Sequence, residues 1–474
     1  MAHDHEAPKR SLLGSPLLLA VLLIGGWFYR DSLAQALRVQ PDEVVLHHEL
    51  NASTLETVDS PTTQDQIAGA LEMLFGTPQN PGYLLLEEWE SDGLDPNSPQ
   101  VPEGDYGTGE IDDAEWELII EGNATRFEEQ LALLDSGDEA ELASMRFPAW
   151  TPALAENWAI DLAAHQAGEY EPYGDDFVSD WRYNLENYYP SLRDSAELYR
   201  RQCFHCHGVS GGGDGTTAPY LEPLPRDYRD GIFKFVAVEN KAKPRRQDLM
   251  HILRNGVYGT AMPSFKRFTR AELNGLVDYV RLLSIRGETE ILLSIAYADA
   301  YFLPAERVLE EYAFVWGTWN NASDDFLAAP GEVPPATPEL IELGRQIFTM
   351  ELDTGSGEAD CASCHGVQGR GDGASAYDGE DPETGERLLA QDDWGNPIQP
   401  RNFTRGIFRG GNRPIDIYRR IRAGINGTPM PAHPDFSEEE VWALVHYVRS
   451  LSAESNRRNA GRAHMGISPE AAGH

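Results

Sequence analysis

Four cysteines occur in 474 residues, and each pair is followed at once by a histidine: Cys203-Phe204-His205-Cys206-His207 and Cys361-Ala362-Ser363-Cys364-His365. C-x-x-C-H is the covalent attachment sequence for a c-type haem. On a helical turn, residues three and four apart share a face. Both thiols of a pair can therefore bond the vinyl groups of one porphyrin, and the histidine one step further round can reach its iron. A structural zinc site would set its C-x-x-C pairs roughly 15 to 20 residues apart, whereas these lie over 150 apart. A thioredoxin-like pair needs neither the histidine nor a second copy. So few cysteines in so long a chain make no disulfide framework. The motifs predict two covalently bound haem c groups, with iron held by His207 and His365.

The elements that must position these motifs are duplicated with them. The first copy continues through Gly213-Asp214-Gly215, Pro225-Arg226-Asp227-Tyr228, Gly231-Ile232-Phe233-Lys234 and Gly259-Thr260-Ala261-Met262-Pro263. The second reads Gly371-Asp372-Gly373, Pro400-Arg401-Asn402-Phe403, Gly406-Ile407-Phe408-Arg409 and Gly427-Thr428-Pro429-Met430-Pro431. Each closes on a helical pattern, Leu276-Val277-Asp278-Tyr279-Val280-Arg281 and Leu444-Val445-His446-Tyr447-Val448-Arg449. Thr269 with Glu272, and Ser437 with Glu440, form capping-box pairs at the starts of those helices. Phe268 and Phe436 precede them as hydrophobic staples. Repetition at this level of detail is a strong architectural signal.

Each copy resembles a class I c-type cytochrome domain, over roughly residues 190–286 and 336–453, less than half of the chain. The resemblance implies an N-terminal helix running into C-x-x-C-H, a methionine loop, a C-terminal helix, and a buried low-spin haem that passes single electrons. In the family the second axial ligand is methionine. Met262 and Met430 hold the matching place in G-T-x-M-P, and cytochromes c favour a His/Met pair. The ligand sets so implied are Cys203, Cys206, His207 and Met262, then Cys361, Cys364, His365 and Met430. His205, Met250, His251, His433 and His446 lack that context and read as surface or packing residues. Pro219 is a candidate for the carbonyl that orients His207, without a clear counterpart in the second copy. The second copy also inserts a loop from Tyr377 to Ile398; a cofactor cover, a partner contact and plain decoration are all open, decoration being preferred.

The remaining chain is read more coarsely. Residues 1–30 hold an apolar run, Leu12 to Tyr29, behind Lys9-Arg10, barely long enough to span a bilayer. It is read as an uncleaved anchor ahead of a signal peptide cut near Ala34-Gln35-Ala36. Residues 31–189 form an acidic region: Asp92 to Glu141 carries sixteen acidic residues against one basic, Arg126. Helical periodicity is expected around Ile67-Leu71-Leu74 and from Trp116 through Leu134, and the aromatics between Trp150 and Tyr189 predict packing. Residues 287–335 read as a helical linker and a polar, Pro-rich hinge, and residues 454–474 as a disordered tail. The fold class is mainly α: two tandem class I cytochrome c domains plus an N-terminal membrane helix and an acidic N-terminal region.

Charge sharpens the expectation about partners. The net charge of −39 excludes nucleic acid and an anionic membrane surface. Yet Arg226 to Arg270 holds eleven basic residues against four acidic, and Arg401 to Met430 seven against one. Those cations would pair with haem carboxylates, or form a docking rim for an acidic partner or for the Asp92–Glu141 region. Together with the resemblance this implies a membrane-tethered dihaem cytochrome c that is not itself an enzyme. It would carry electrons in a respiratory chain, on the periplasmic side of a bacterial cytoplasmic membrane, as a subunit of a membrane redox complex or a shuttle between such proteins. The layout is similar to the cytochrome subunits of haem–copper oxidases. The alternative is a dihaem redox enzyme of peroxidase or thiosulfate-oxidising type, which needs an open distal position; two methionine loops leave none.

Overall fold

The computed structural model describes residues 46–83, 134, 142, 145, 152–187, 191–239, 241–300, 303–323, 325–328, 330–352 and 360–452. The apolar run from Leu12 to Tyr29, nearly all of the acidic stretch and residues 454–474 lie outside these. Among the described residues no helix is long and apolar enough to cross a membrane.

Among the described residues two helices come first, α1 (Ala52–Thr57) and α2 (Pro61–Phe75). Pro61 opens α2 behind the N-cap Ser60, and Gly76 ends it at φ +69°. The expected periodicity holds: Ile67, Leu71 and Leu74 are buried on one face. Helices α3 (Pro152–Ala167) and α4 (Phe177–Asn187) build a separate small cluster in which Trp158 meets Trp181 edge-on at 5.0 Å, so the aromatics of this region do pack. Of the stretch expected to be helical from Trp116 through Leu134, residues 116–133 lie outside the described residues, and Leu134 is helical and buried.

The first haem-motif domain comprises α5 (Leu192–Gln202), α6 (Phe204–His207), α7 (Arg246–Asn255) and the start of α8 (Arg270–Ala300). Ser191 caps α5 by accepting from the Asp194 amide at 3.1 Å. Its apolar face crosses α8, where Tyr199 meets Tyr279 at 5.0 Å. The capping box before α8 is formed as expected: the Glu272 amide donates to Thr269 Oγ1 at 3.1 Å and the Thr269 amide to Glu272 at 2.7 Å.

Residue 286, where the sequence suggested a passage from domain to linker, lies inside α8, which runs on unbroken to Ala300. Helix α9 (Ala305–Asn320) folds back on it. Together they clasp α2: Phe75 meets Tyr312 at 5.4 Å and Tyr83 meets Trp316 at 4.8 Å, within one core continuous with Tyr199, Leu276 and Trp319. The first domain thus sits in an added helical shell. An ion pair stands under it: Arg286 and Glu290 are buried and 3.0 Å apart, and the Asn51 amide donates to Glu290 at 2.5 Å.

The Pro-rich hinge is not slack. The Glu239 amide donates to the Asp325 carbonyl at 2.9 Å and the Leu327 amide to Ala237 at 3.0 Å, which pins it to the first domain. The second domain then follows with α10 (Pro338–Phe348), α11 (Cys361–His365), a hairpin of β1 (Tyr377–Glu380) and β2 (Arg387–Leu389), α12 (Pro414–Ala423) and α13 (Glu438–Ser450). The hairpin is antiparallel, with Tyr377 opposite Leu389 and Glu380 opposite Arg387. Thr337 and Pro338 start α10, Asp360 caps α11, and the Ser437–Glu440 capping box starts α13. Helices α10 and α13 cross closely. A Cβ on Gly344 would lie 2.0 Å from the Ala443 carbonyl oxygen, so the crossing needs glycine there.

Candidate haem sites and the contact between them

In the first domain the chain turns at Cys203, the last residue before α6. The Cys206 and His207 amides donate back to the Cys203 carbonyl at 3.1 and 2.9 Å. This single turn puts both thiols and the imidazole on one side. With Met262 they line one cavity of about 390 Å³, walled by Tyr228, Phe233, Leu249, Leu253, Leu276 and Val280. Burial pushes the Cys203 thiol up to about 12, which makes it a neutral thiol and a poor redox nucleophile.

His207 is held from two sides. Its Nδ1 lies 3.1 Å from the Arg226 carbonyl, and its ring stacks on Tyr228 at 4.6 Å and 22°. Burial pushes its pKa down to about 4, the carbonyl opposing. The ring is therefore neutral, and Nδ1 donates to Arg226. That fixes the tautomer with the Nε2 lone pair facing the cavity, as an iron ligand requires. The carbonyl is Arg226's, not that of Pro219. The methionine loop is a closed unit: the Val257 amide donates to Met262 O at 3.2 Å and the Met262 amide to Thr260 Oγ1 at 3.1 Å. Gly256, at φ +68°, starts it where a Cβ would come within 2.6 Å of Pro263.

The second domain repeats each contact. His365 Nδ1 lies 3.3 Å from the Arg401 carbonyl, and the ring stacks on Phe403 at 4.5 Å and 23°. Burial pushes His365 down to about 4 and the Cys361 thiol up to about 12. The Ile425 amide donates to Met430 O at 3.3 Å and the Met430 amide to Thr428 Oγ1 at 3.3 Å. So Pro-Arg-Asp/Asn-aromatic, visible in both copies, is the sequence signal for the orienting carbonyl and the stacking ring. The histidines set aside as non-ligands have other roles. His251 bonds Asn255, His433 stacks on Phe436 at 5.3 Å, His446 Nε2 meets the Pro334 carbonyl at 2.9 Å, and His205 is exposed.

The two methionine loops face the partner domain reciprocally. A Cβ on Gly259 would meet Ile407, and a Cβ on Gly427 would meet Ile232 and Trp394. Ile232 and Ile407 are equivalent residues of the two copies. Three cations of the basic segments engage this contact. Arg420 donates to the Lys234 and Val236 carbonyls, Lys234 pairs with Asp392 at 2.8 Å, and Arg226 stacks 3.5 Å above the Trp394 ring. Asp392 and Trp394 come from the inserted loop, which is thus an interdomain wedge rather than decoration. Arg245–Asp248 and Arg413–Asp416 are local pairs beside the helix starts. The charge asymmetry thus serves an internal seam in part, while Lys241, Arg254, Lys266, Arg267 and Arg270 stay exposed.

The chain is a c-type cytochrome. Residues 341–452 match the family described as cytochrome c, and residues 190–280 the family described as cytochrome c oxidase, cbb3-type, subunit III. Such domains carry covalently bound haem c and act in haem-based electron transfer. The chain is 30% identical over 121 residues to cytochrome c oxidase subunit 2 of Alkalihalophilus pseudofirmus, covering 25% of this chain and 28% of that relative's length. Among solved structures it is similar to a chain of the reducing HAO-like protein complex of Kuenenia stuttgartiensis. There the identity is 30%, the match covers 55% of this chain and 96% of that one, and the TM-score is 0.41.

Proposed function

We propose that this is a dihaem cytochrome c that accepts and passes single electrons and has no catalytic site of its own. Each bound haem would supply a one-electron iron couple. Cys203 and Cys206, then Cys361 and Cys364, would hold the porphyrins; His207 with Met262, and His365 with Met430, would hold the irons. The observation that carries this reading is the repetition, bond for bond, of the histidine clamp and the methionine loop. A methionine loop closed by its own hydrogen bonds would hold Met262 or Met430 ready for the iron, which would suit electron transfer and leave a substrate no iron site. The apolar run before residue 30 would tether the protein to a bacterial cytoplasmic membrane, with the haem domains on the periplasmic side among respiratory redox partners.

The test is haem stoichiometry and reactivity on one preparation. Two haems per chain that resist extraction into acidified organic solvent, with negligible turnover of peroxide or thiosulfate, are expected. A single or extractable haem would overturn the dihaem assignment. Rapid turnover with both methionines in place would favour the redox-enzyme alternative.

A further inference from the structure

Arg409 belongs to the second domain, yet it lines the first domain's cavity together with Cys203, Cys206, His207 and Met262. It follows Ile407, whose side chain rests at Gly259 in the first methionine loop, so the segment is seated on that domain. Its Nε is buried and has no hydrogen-bond partner, and the carboxylate that acts on it, Glu222, does so electrostatically without forming an ion pair among the described residues. The neighbouring cations are already engaged: Lys234 by Asp392, Arg226 by the Trp394 ring, and Arg267 by Gln202 at 2.7 Å. A half-buried guanidinium whose Nε is enclosed and unpaired can still close its fork on a carboxylate held bidentately. A haem carries two carboxylates, and the cavity is where one would lie.

We propose that Arg409 is an interdomain anion clamp: a second-domain residue that binds a carboxylate of the first domain's haem and helps set its potential. The inference rests on the dihaem reading. It makes the first site complete only when the second domain is docked. The converse does not follow from Lys234, the equivalent residue of the first domain, whose charge is satisfied by Asp392. A fixed cation near an iron disfavours its oxidised form, so removing the cation lowers the potential.

The experiment uses the full, haem-loaded chain and a redox titration that resolves both haems, the first assigned by the wave that Met262→Ala displaces. Arg409→Gln should lower that wave and leave the other in place, and Arg409→Lys should recover part of the shift. Arg370 lines the neighbouring crevice but not the haem cavity, so Arg370→Gln should leave the wave where it was. An unmoved wave, equal movement of both waves, or an equal effect of Arg370→Gln would overturn the clamp with two haems still bound. Absence of haem from the first domain would overturn the dihaem reading and the clamp together.

Discussion

The two haem domains share their clamps and differ in their surroundings. The first is wrapped by α2 and by the extension of α8 into α9, and shares one core with them. The second keeps a core of its own around Ile347, Phe348, Tyr418 and Trp442, and adds a two-stranded hairpin with the loop behind it. What stays constant is the set that a haem demands: a neutral histidine donating to a carbonyl, an aromatic under that ring, and a methionine loop closed on a threonine. What varies is how each domain is buttressed against its neighbours. The difference separates residues kept for the cofactor from residues kept for assembly.

The harshest way to break the symmetry is to remove one methionine at a time. Met262→Ala and Met430→Ala should each open one iron, so that one haem of two becomes able to bind carbon monoxide while the other stays closed. Visible spectra before and after the gas report this directly. If both variants behaved like the parent, the shared methionine loops would not be ligand loops.

The shell should show next. Arg286→Met leaves Glu290 buried without its cation, a change that typically costs 3–5 kcal/mol, on the order of a domain's whole margin. Denaturant unfolding followed at the two haems should then show the first domain melting early and the second near its usual midpoint. Simultaneous loss of both would mean that the reciprocal contact makes them one cooperative unit.

A smaller effect tests the helix crossing. At Gly344 a Cβ has no room, whereas the equivalent position of the first domain is Ser195, facing a helix that carries Gly275 where the second has Ala443. The small residue has moved to the opposite helix. Gly344→Ala should therefore destabilise the second domain by about 1–3 kcal/mol through overpacking. Ser195→Ala should cost about 1 kcal/mol, for the bond from Ser195 Oγ to the Ser191 carbonyl. An unchanged unfolding midpoint for Gly344→Ala would show that this crossing has room for a methyl group.

The haem motifs, methionine loops, capping boxes and repeat were legible because each is a short-range pattern whose geometry follows from residue type and spacing. The periodicity of Ile67, Leu71 and Leu74 was legible for the same reason. The packing of α2 against α8 was not, since it pairs elements about 200 positions apart. Lys234 with Asp392 and Arg226 with Trp394 are likewise long-range. From composition, cations destined for a seam between domains look like cations destined for a partner. The orienting carbonyls, those of Arg226 and Arg401, stand at equivalent places of the repeat, which Pro219 does not. The loop from Tyr377 to Ile398 read as decoration because its function lies in what it touches.

The mildest contrast lies at one equivalent position of the two closing helices. In the first domain Asp278 pairs with Arg246 from α7. In the second His446 is buried and donates from Nε2 to the Pro334 carbonyl. Burial lowers the His446 pKa, the carbonyl opposing and Arg449 adding to the lowering. An unfolded chain would titrate this histidine near 6.5. Below that pH the unfolded state binds a proton that the folded state resists, so stability rises with pH across this window. Acidification from pH 8 towards 5 should therefore weaken the second domain through His446, a contribution the first lacks at this position. His446→Gln can still donate to Pro334 and does not titrate, so it should flatten that slope in unfolding midpoints read at the second haem. An unchanged slope in the variant would place the pH sensitivity elsewhere in the domain.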